Sequence, residues 1–159
     1  MNRIWLVLAA VLLVGCGVQP SGVTDGGEAP TGLAPGVTLY FVDADEQLTP
    51  EPRPSQRLGT IEDALSLLMS GTSNSPLHTE IRASSVPRVN VTRSPGLIQL
   101  DVPLSIYEVT PLGIDQIVCT ALAVHVQSGG PRDTRVQVRF TLPTAESAKL
   151  RTCPLIKAS

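Results

Sequence analysis

At 159 residues the chain has room for one folded domain of ordinary size and little more, which excludes a multidomain machine. Hydrophobic residues make up 42% of it, as in globular proteins, but aromatics reach only 3% and charged residues 16%, too few rings and cations for a nucleic-acid surface. Twelve Lys and Arg against fourteen Asp and Glu leave a net charge of −2, and three cysteines and two histidines are a small stock of nucleophiles, general bases and metal ligands.

In chain order, Met1-Asn2-Arg3 is a short positive start and Ile4 to Val14 an unbroken apolar run of signal-peptide length, too short for a comfortable permanent span. Leu13-Val14-Gly15-Cys16 follows, and this resembles the lipobox of bacterial lipoproteins. The resemblance implies cleavage between Gly15 and Cys16, a diacylglyceryl group on the Cys16 sulfur, and a domain on the outer face of the cytoplasmic membrane. The two acyl chains of that group would meet the need for more than one weak anchor. Loss of Arg3 with residues 1–15 makes the balance more acidic, which argues against a polybasic attachment to anionic lipid. Residues 16–35, rich in Gly and Pro and without a period of two or 3.6, read as a tether of roughly 25 Å root-mean-square reach.

The folded part is expected over residues 36–143. Val37 to Val42 is β-branched and aromatic and reads as a strand, with Asp43-Ala44-Asp45-Glu46 as turn material. Gln47 to Pro54 carries Pro50, Pro52 and Pro54, which suits an edge strand or extended arm and not a central strand. Thr60, with Asp63 three residues on, caps a helix over Ile61 to Met69 whose Ile61, Ala64, Leu65 and Leu68 share a face, and Gly71 stops it. A weak strand through Val89 and Val91 turns at Ser94-Pro95-Gly96 into a return arm over Leu97 to Val102. Ile114, Ile117, Val118, Ala121 and Leu122 give a second helix over Ile114 to Val126. Arg135 to Leu142 alternates cleanly, with Val136, Val138, Phe140 and Leu142 inward. The layout predicts an α+β domain, a mixed sheet of about four or five strands covered by two helices, with 144–159 as a C-terminal tail.

These elements resemble the GerMN domain, first described in a sporulation and germination lipoprotein and found in lipoproteins of spore-forming and actinobacterial lineages. The resemblance rests on Val37-Thr38-Leu39-Tyr40-Phe41-Val42-Asp43, on Ala64-Leu65-Ser66-Leu67-Leu68 with Ser70-Gly71, on Leu77-His78-Thr79-Glu80-Ile81, on Ile98-Gln99-Leu100-Asp101-Val102, and on Gln116-Ile117-Val118-Cys119-Thr120-Ala121-Leu122. It covers about residues 37 to 140 and is carried by the order and spacing of core positions. It implies a compact α/β unit similar to ring-building modules of secretion and sporulation assemblies, and a non-catalytic envelope interaction protein that uses no cofactor. Where that family has Gly-Pro after its first helix this chain has Gly71-Thr72, and it continues past the last strand into Leu142-Pro143-Thr144.

The remaining chemistry is sparse. Once Cys16 is lipidated, Cys119 and Cys153 are left in a compartment that permits disulfides. A bond between them would tie the tail back; the alternatives are a buried free Cys119 and a redox pair, which lacks the Cys-x-x-Cys arrangement. Asp43, Asp45 and Glu46 are a carboxylate cluster without the alternating ligands of a calcium loop, so a solvated turn is expected and no metal. His78 lies in a Ser/Thr/Asn-rich loop and His125 at a helix end, where a cation suits the dipole. Arg135, Arg139 and Arg151 form an arginine set that suits acidic wall polymer, a protein partner, or plain solvation. Asn90-Val91-Thr92 matches a glycosylation acceptor without functional meaning in a bacterial lipoprotein.

No sequence motif of nucleophilic, phosphoryl-transfer or metalloprotease catalysis is present, so no catalytic residues are assigned. The leading expectation is a tethered assembly module that meets an envelope protein or itself, with no nucleic-acid partner, and with Tyr40, Asp43, Arg135 and Arg139 as its candidate surface. A receptor for a wall fragment or lipid and a small envelope hydrolase are the alternatives. A deep apolar pocket would favour the receptor and an exposed flat patch the assembly role.

Overall fold

Residues 36–54, 59–71, 76–85 and 87–158 are described by the structure, a computed structural model, and all of them belong to one compact unit. Gly15, Cys16 and the tether over 16–35 lie outside the described residues. No helix among the described residues is long and apolar enough to cross a membrane.

The order is β1 (Val37–Val42), β2 (Leu48–Arg53), α1 (Ile61–Ser70), β3 (Asn90–Ser94), β4 (Leu97–Asp101), α2 (Pro111–Gln127), β5 (Arg135–Arg139) and β6 (Leu150–Arg151), with 3-10 turns at Ile106–Glu108 and Glu146–Ala148. The fold class is α+β, as the residue pattern implies. The strands, however, divide between two sheets: an antiparallel β1-β2 pair, and a mixed sheet in the order β3-β4-β5-β6. In the larger sheet β4 and β5 run parallel and the other neighbours antiparallel.

The split follows from where α2 sits. It buries residues around most of its circumference, among them Ile117, Val118, Leu122 and the polar Gln116 and Thr120, as a helix enclosed by other layers must. β1 packs on one side of it, β5 on another, and α1 against both α2 and β1. Side chains of β1 (Leu39, Phe41), α1 (Ile61, Leu65, Leu68, Met69), β4 (Ile98, Leu100) and β5 (Val136, Val138) meet α2 in one apolar core. Burying each large aliphatic side chain contributes about 1.5–3 kcal/mol.

Local chemistry sets the ends. Thr60 Oγ1 accepts from the Asp63 amide at 3.1 Å and Asp63 Oδ2 from the Thr60 amide at 3.4 Å, so the expected capping box starts α1, a cap of about 1 kcal/mol. α2 starts one turn before the apolar period does: Thr110 Oγ1 caps the Gly113 amide at 3.1 Å, and Pro111 takes the first helical position, where its missing N–H costs nothing. Gly113 is required there, since a Cβ would lie 2.5 Å from the Glu80 carbonyl oxygen.

Two sequence expectations are corrected, on the end of β5 and on the C-terminal tail, and one choice left open is decided. β5 ends at Arg139, because the Thr141 amide turns to the Leu104 carbonyl at 2.9 Å and Pro143 follows, so Leu142 is exposed (61%) and not inward. Of the edge strand and the extended arm that the prolines allow, Leu48–Arg53 is the edge strand: it pairs with β1 along its full length, Pro50 opposite Tyr40 and Pro52 opposite Thr38. Residues 144–158 are more than a tail: the Phe140 amide donates to Ser147 Oγ at 3.3 Å, Gln137 Nε2 donates to the Ser147 carbonyl at 2.8 Å, and β6 joins the sheet beside β5. Cys119 and Cys153 are bonded, their Cα atoms 4.7 Å apart, fastening this segment to α2.

Candidate functional site

Paired residues in a sheet share a face, so the register sorts the larger sheet into two surfaces. Ile98, Leu100, Val136 and Val138 face α2, while Thr92, Gln99, Asp101, Arg135, Gln137, Arg139 and Leu150 fall on the other side. That outer face is a cross-linked polar surface. Gln99 Nε2 donates to Gln137 Oε1 at 2.8 Å, and the Arg139 guanidinium grips Asp101 through Nε at 2.6 Å and Nη2 at 2.9 Å. The bidentate geometry fixes Arg139 in place, and Arg135 lies four residues away, at the other end of β5 on the same face, with its side chain exposed.

The structure therefore puts Arg135 and Arg139 on one face, at opposite ends of β5, and places neither with Tyr40, in the other sheet, or Asp43, in the turn after β1. Tyr40 is a correction. It is 7% exposed and its phenol is pushed up by burial, so it is a core residue that presents nothing to a partner. Its backbone explains why β1 tolerates that position: the Tyr40 amide donates to Thr120 Oγ1 at 3.0 Å, and Gln116 Nε2 donates to the Tyr40 carbonyl at 3.0 Å. Gln116 Oε1 in turn accepts from the Glu80 amide at 2.8 Å. Two buried polar side chains of α2 thus take the place of a neighbouring strand along β1.

Asp43 is engaged in its own turn. Its Oδ1 accepts from the Gln47 and Asp45 amides at 2.9 and 3.0 Å, and its Oδ2 from Thr49 Oγ1 at 3.1 Å. The Gln47 amide first, then the other donors and nearby His78, hold its carboxyl below the usual carboxylate range. Among the described residues no group of three or more His, Cys, Asp and Glu is placed to hold a metal ion. His78 exchanges two backbone hydrogen bonds with Val42, each 2.9 Å, and its Nε2 lies 3.1 Å from Glu80. His125 Nε2 lies 3.1 Å from Thr134 Oγ1. Burial and then Arg93 push the His125 pKa down, against the cation that its place at a helix end suggested. Thr134 is 2% exposed and His125 half-buried, so the hydroxyl is held on the inner side of the imidazole.

The sequence reading missed a groove of about 430 Å³ between the start of α2 and the C-terminal segment. One wall is apolar, from Ile106, Val109, Pro111 and Ile114; the other is charged, from Glu146, Lys149 and Arg151. Glu146 pairs with both cations, Lys149 first, and these hold its carboxyl below its usual range. Asp115, next to Ile114, is pushed up by burial, an effect that Arg151 moderates. Tyr107, 89% exposed, stands on the 3-10 turn next to the lining residue Ile106. The Ser105 amide and hydroxyl both donate to Glu108 Oε2 at 2.8 Å and fasten that turn. Ser105-x-x-Glu108 followed by Thr110-Pro111 was the available signal: two start motifs in succession mark a turn that leads into a helix.

No protein-family model and no curated protein matches the chain. Among solved structures the fold is similar to the tandem GerMN domains of the sporulation protein GerM from Bacillus subtilis, with a TM-score of 0.51 and 18% identity, over 82% of this chain and 49% of that one. The chain spans about half the length of that structure, and the likeness establishes a GerMN-like fold.

Proposed function

We propose that this chain is a non-catalytic interaction module of the bacterial envelope, held at the outer face of the cytoplasmic membrane by lipid on Cys16 and serving assembly in a cell-envelope process, of which sporulation and germination are examples. The observation that carries the reading is the GerMN-like fold, joined to the lipobox-like Leu13-Val14-Gly15-Cys16 at the start of the chain. The disposition of reactive groups supports it. His78 and His125 lie on different segments and each is engaged by a local partner, Glu80 and Thr134 respectively.

The test is crosslinking of the full-length protein in cells, followed by membrane solubilisation, affinity capture and mass spectrometry, with Cys16→Ala as the control. The expected result is membrane retention and an envelope protein partner, both lost in the control. Retention and partners unchanged by Cys16→Ala would overturn the anchoring.

A second reading, a receptor for a wall fragment or lipid, is favoured by one observation, the half-apolar groove under Ile106 and Ile114, whose volume falls in the usual range for small-molecule sites. Binding of a wall-fragment or lipid panel that Ile114→Arg abolishes would support it over assembly.

A further inference from the structure

Two sheets present four edges, and three of them are blocked. β2 carries Pro50 and Pro52, which cannot donate to a neighbour. The far side of β1 is occupied by Gln116, Thr120 and the bridge to His78. β6 is two residues long, and beyond it Ser147 covers β5. β3 is the exception: five residues with no proline, no lysine and mostly exposed side chains. Among the described residues no hydrogen bond reaches its outer backbone edge.

Which groups of β3 face outward follows from β4. The Arg135 amide donates to the Gly96 carbonyl, and the Val102 amide to the Arg139 carbonyl, so the even-numbered residues of β4 turn their backbone toward β5. Its odd-numbered residues Leu97, Gln99 and Asp101 therefore bond to Ser94, Thr92 and Asn90. Val91 and Arg93 are left with amide and carbonyl pointing away from the sheet.

We propose that β3 is the seam of a homodimer, in which β3 of a second copy pairs antiparallel across a two-fold axis at Thr92. This deepens the assembly reading above, on which it rests, by naming the partner as another copy of this chain. The sequence of the strand is complementary to itself in that register. Val91 meets Arg93 of the second copy and Arg93 meets its Val91, two hydrogen-bonded pairs that satisfy every outward backbone group of both residues. Thr92 meets Thr92 in the closer, non-hydrogen-bonded position, and Asn90 meets Ser94, so each outer-face pair is polar and can hydrogen-bond. No like charges stand directly opposite. The two Arg93 residues are diagonal, roughly 7–8 Å apart and close to the ~8 Å screening length at physiological ionic strength. The interface is isologous and closes at two copies, joining two four-stranded sheets into one of eight.

The test uses full-length protein in its membranes with Thr92→Cys, mild oxidation and non-reducing electrophoresis. A non-hydrogen-bonded pair has Cα atoms about 4.5 Å apart, within disulfide reach. Asn90→Cys is the comparison, since the two Asn90 positions in this register are four residues, about 13 Å, apart. The expected result is a covalent dimer at least about fivefold more abundant with Thr92→Cys than with Asn90→Cys, and restored when Asn90→Cys and Ser94→Cys chains are co-expressed. Arg93→Pro, which removes an outward donor and spares the β3-β4 bonds, should lower the Thr92→Cys dimer by at least about fivefold. Dimer yields equal for Thr92→Cys and Asn90→Cys, or indifferent to Arg93→Pro, would overturn the seam. If Thr92→Cys stays monomeric while an envelope partner is still captured through Cys16-dependent crosslinking, the seam falls and the tethered-module reading stands.

Discussion

Replacing Gln116 by Leu would test the claim that side chains of α2 substitute for a strand beside β1. The change keeps the volume and removes both ends of the link, the donor to the Tyr40 carbonyl at 3.0 Å and the acceptor from the Glu80 amide at 2.8 Å. Gln116 is fully buried, so water does not reach its partners from that side. At about 1–3 kcal/mol for each polar group left without a partner, the expected loss is about 2–6 kcal/mol, a large part of the 5–15 kcal/mol that holds a typical domain. Thr120→Val leaves only the Tyr40 amide unpaired and should cost about 1–3 kcal/mol. Because both changes act on the two groups of one residue, the double variant should deviate from additivity by about 0.5 kcal/mol or more. Urea titration followed by circular dichroism, with m-values compared across the four proteins, gives these numbers. A Gln116→Leu protein less than about 1 kcal/mol weaker than wild type, with strict additivity, would refute the reasoning, since β1 would then not depend on α2 for its hydrogen bonds.

Other outcomes follow from the same geometry. Reduction of the Cys119–Cys153 bond, which closes a loop with a sequence separation of 34, should cost about 4 kcal/mol on the chain-entropy model; an unchanged urea midpoint in reductant would contradict it. His125 has a lowered pKa, so the unfolded chain takes up its proton first. Its contribution is present above pH ~6.5 and lost as pH falls through the folded value; His125→Gln should flatten that slope in urea midpoints measured from pH 8 to 5. Asp115 has a raised pKa, so its ionisation weakens the fold as pH rises; Asp115→Asn should stabilise at neutral pH and lose its advantage in acid, read by thermal melts at both. Gly113→Ala pushes a methyl to 2.5 Å from the Glu80 carbonyl oxygen, and a loss of about 1–3 kcal/mol is expected in the same titrations.

Much of the fold was legible because its signals are local. The Thr60 and Asp63 capping box, the prolines of β2, the Pro95-Gly96 turn with Gly96 at φ 71° and the alternation of Val136 and Val138 each announce an element within a few residues, and the resemblance supplied their assembly. The division into two sheets was not legible. Gln116 and Thr120 look like ordinary polar positions in a helix, and nothing near them in sequence says that their partner is Tyr40, 76 and 80 residues away. Tyr40 misled for the same reason: an aromatic at a strand centre faces solvent or core according to what packs on it, and that packing is not local in sequence. The groove was missed because its walls come from segments about thirty residues apart in sequence, 106–114 and 146–151. Leu142 continued the alternation of β5 only until Thr141 found the Leu104 carbonyl.

The five-residue stretch of α2 from Gln116 to Thr120 carries three attachments: hydrogen bonds to β1 from its two ends and the covalent link from Cys119 to Cys153. This makes it the route by which mechanical load would cross the molecule. A pull between β1 and the C-terminal segment passes through that turn of helix and then through a covalent bond, leaving the β4-β5 ladder outside the load path. The 33 residues between the cysteines stay unstretched until the bond is reduced. In a single-molecule extension experiment, reductant should lengthen the fully unfolded chain by roughly 110–120 Å, and for a domain pulled between a membrane and a partner that difference separates a short, stiff connection from a long, compliant one.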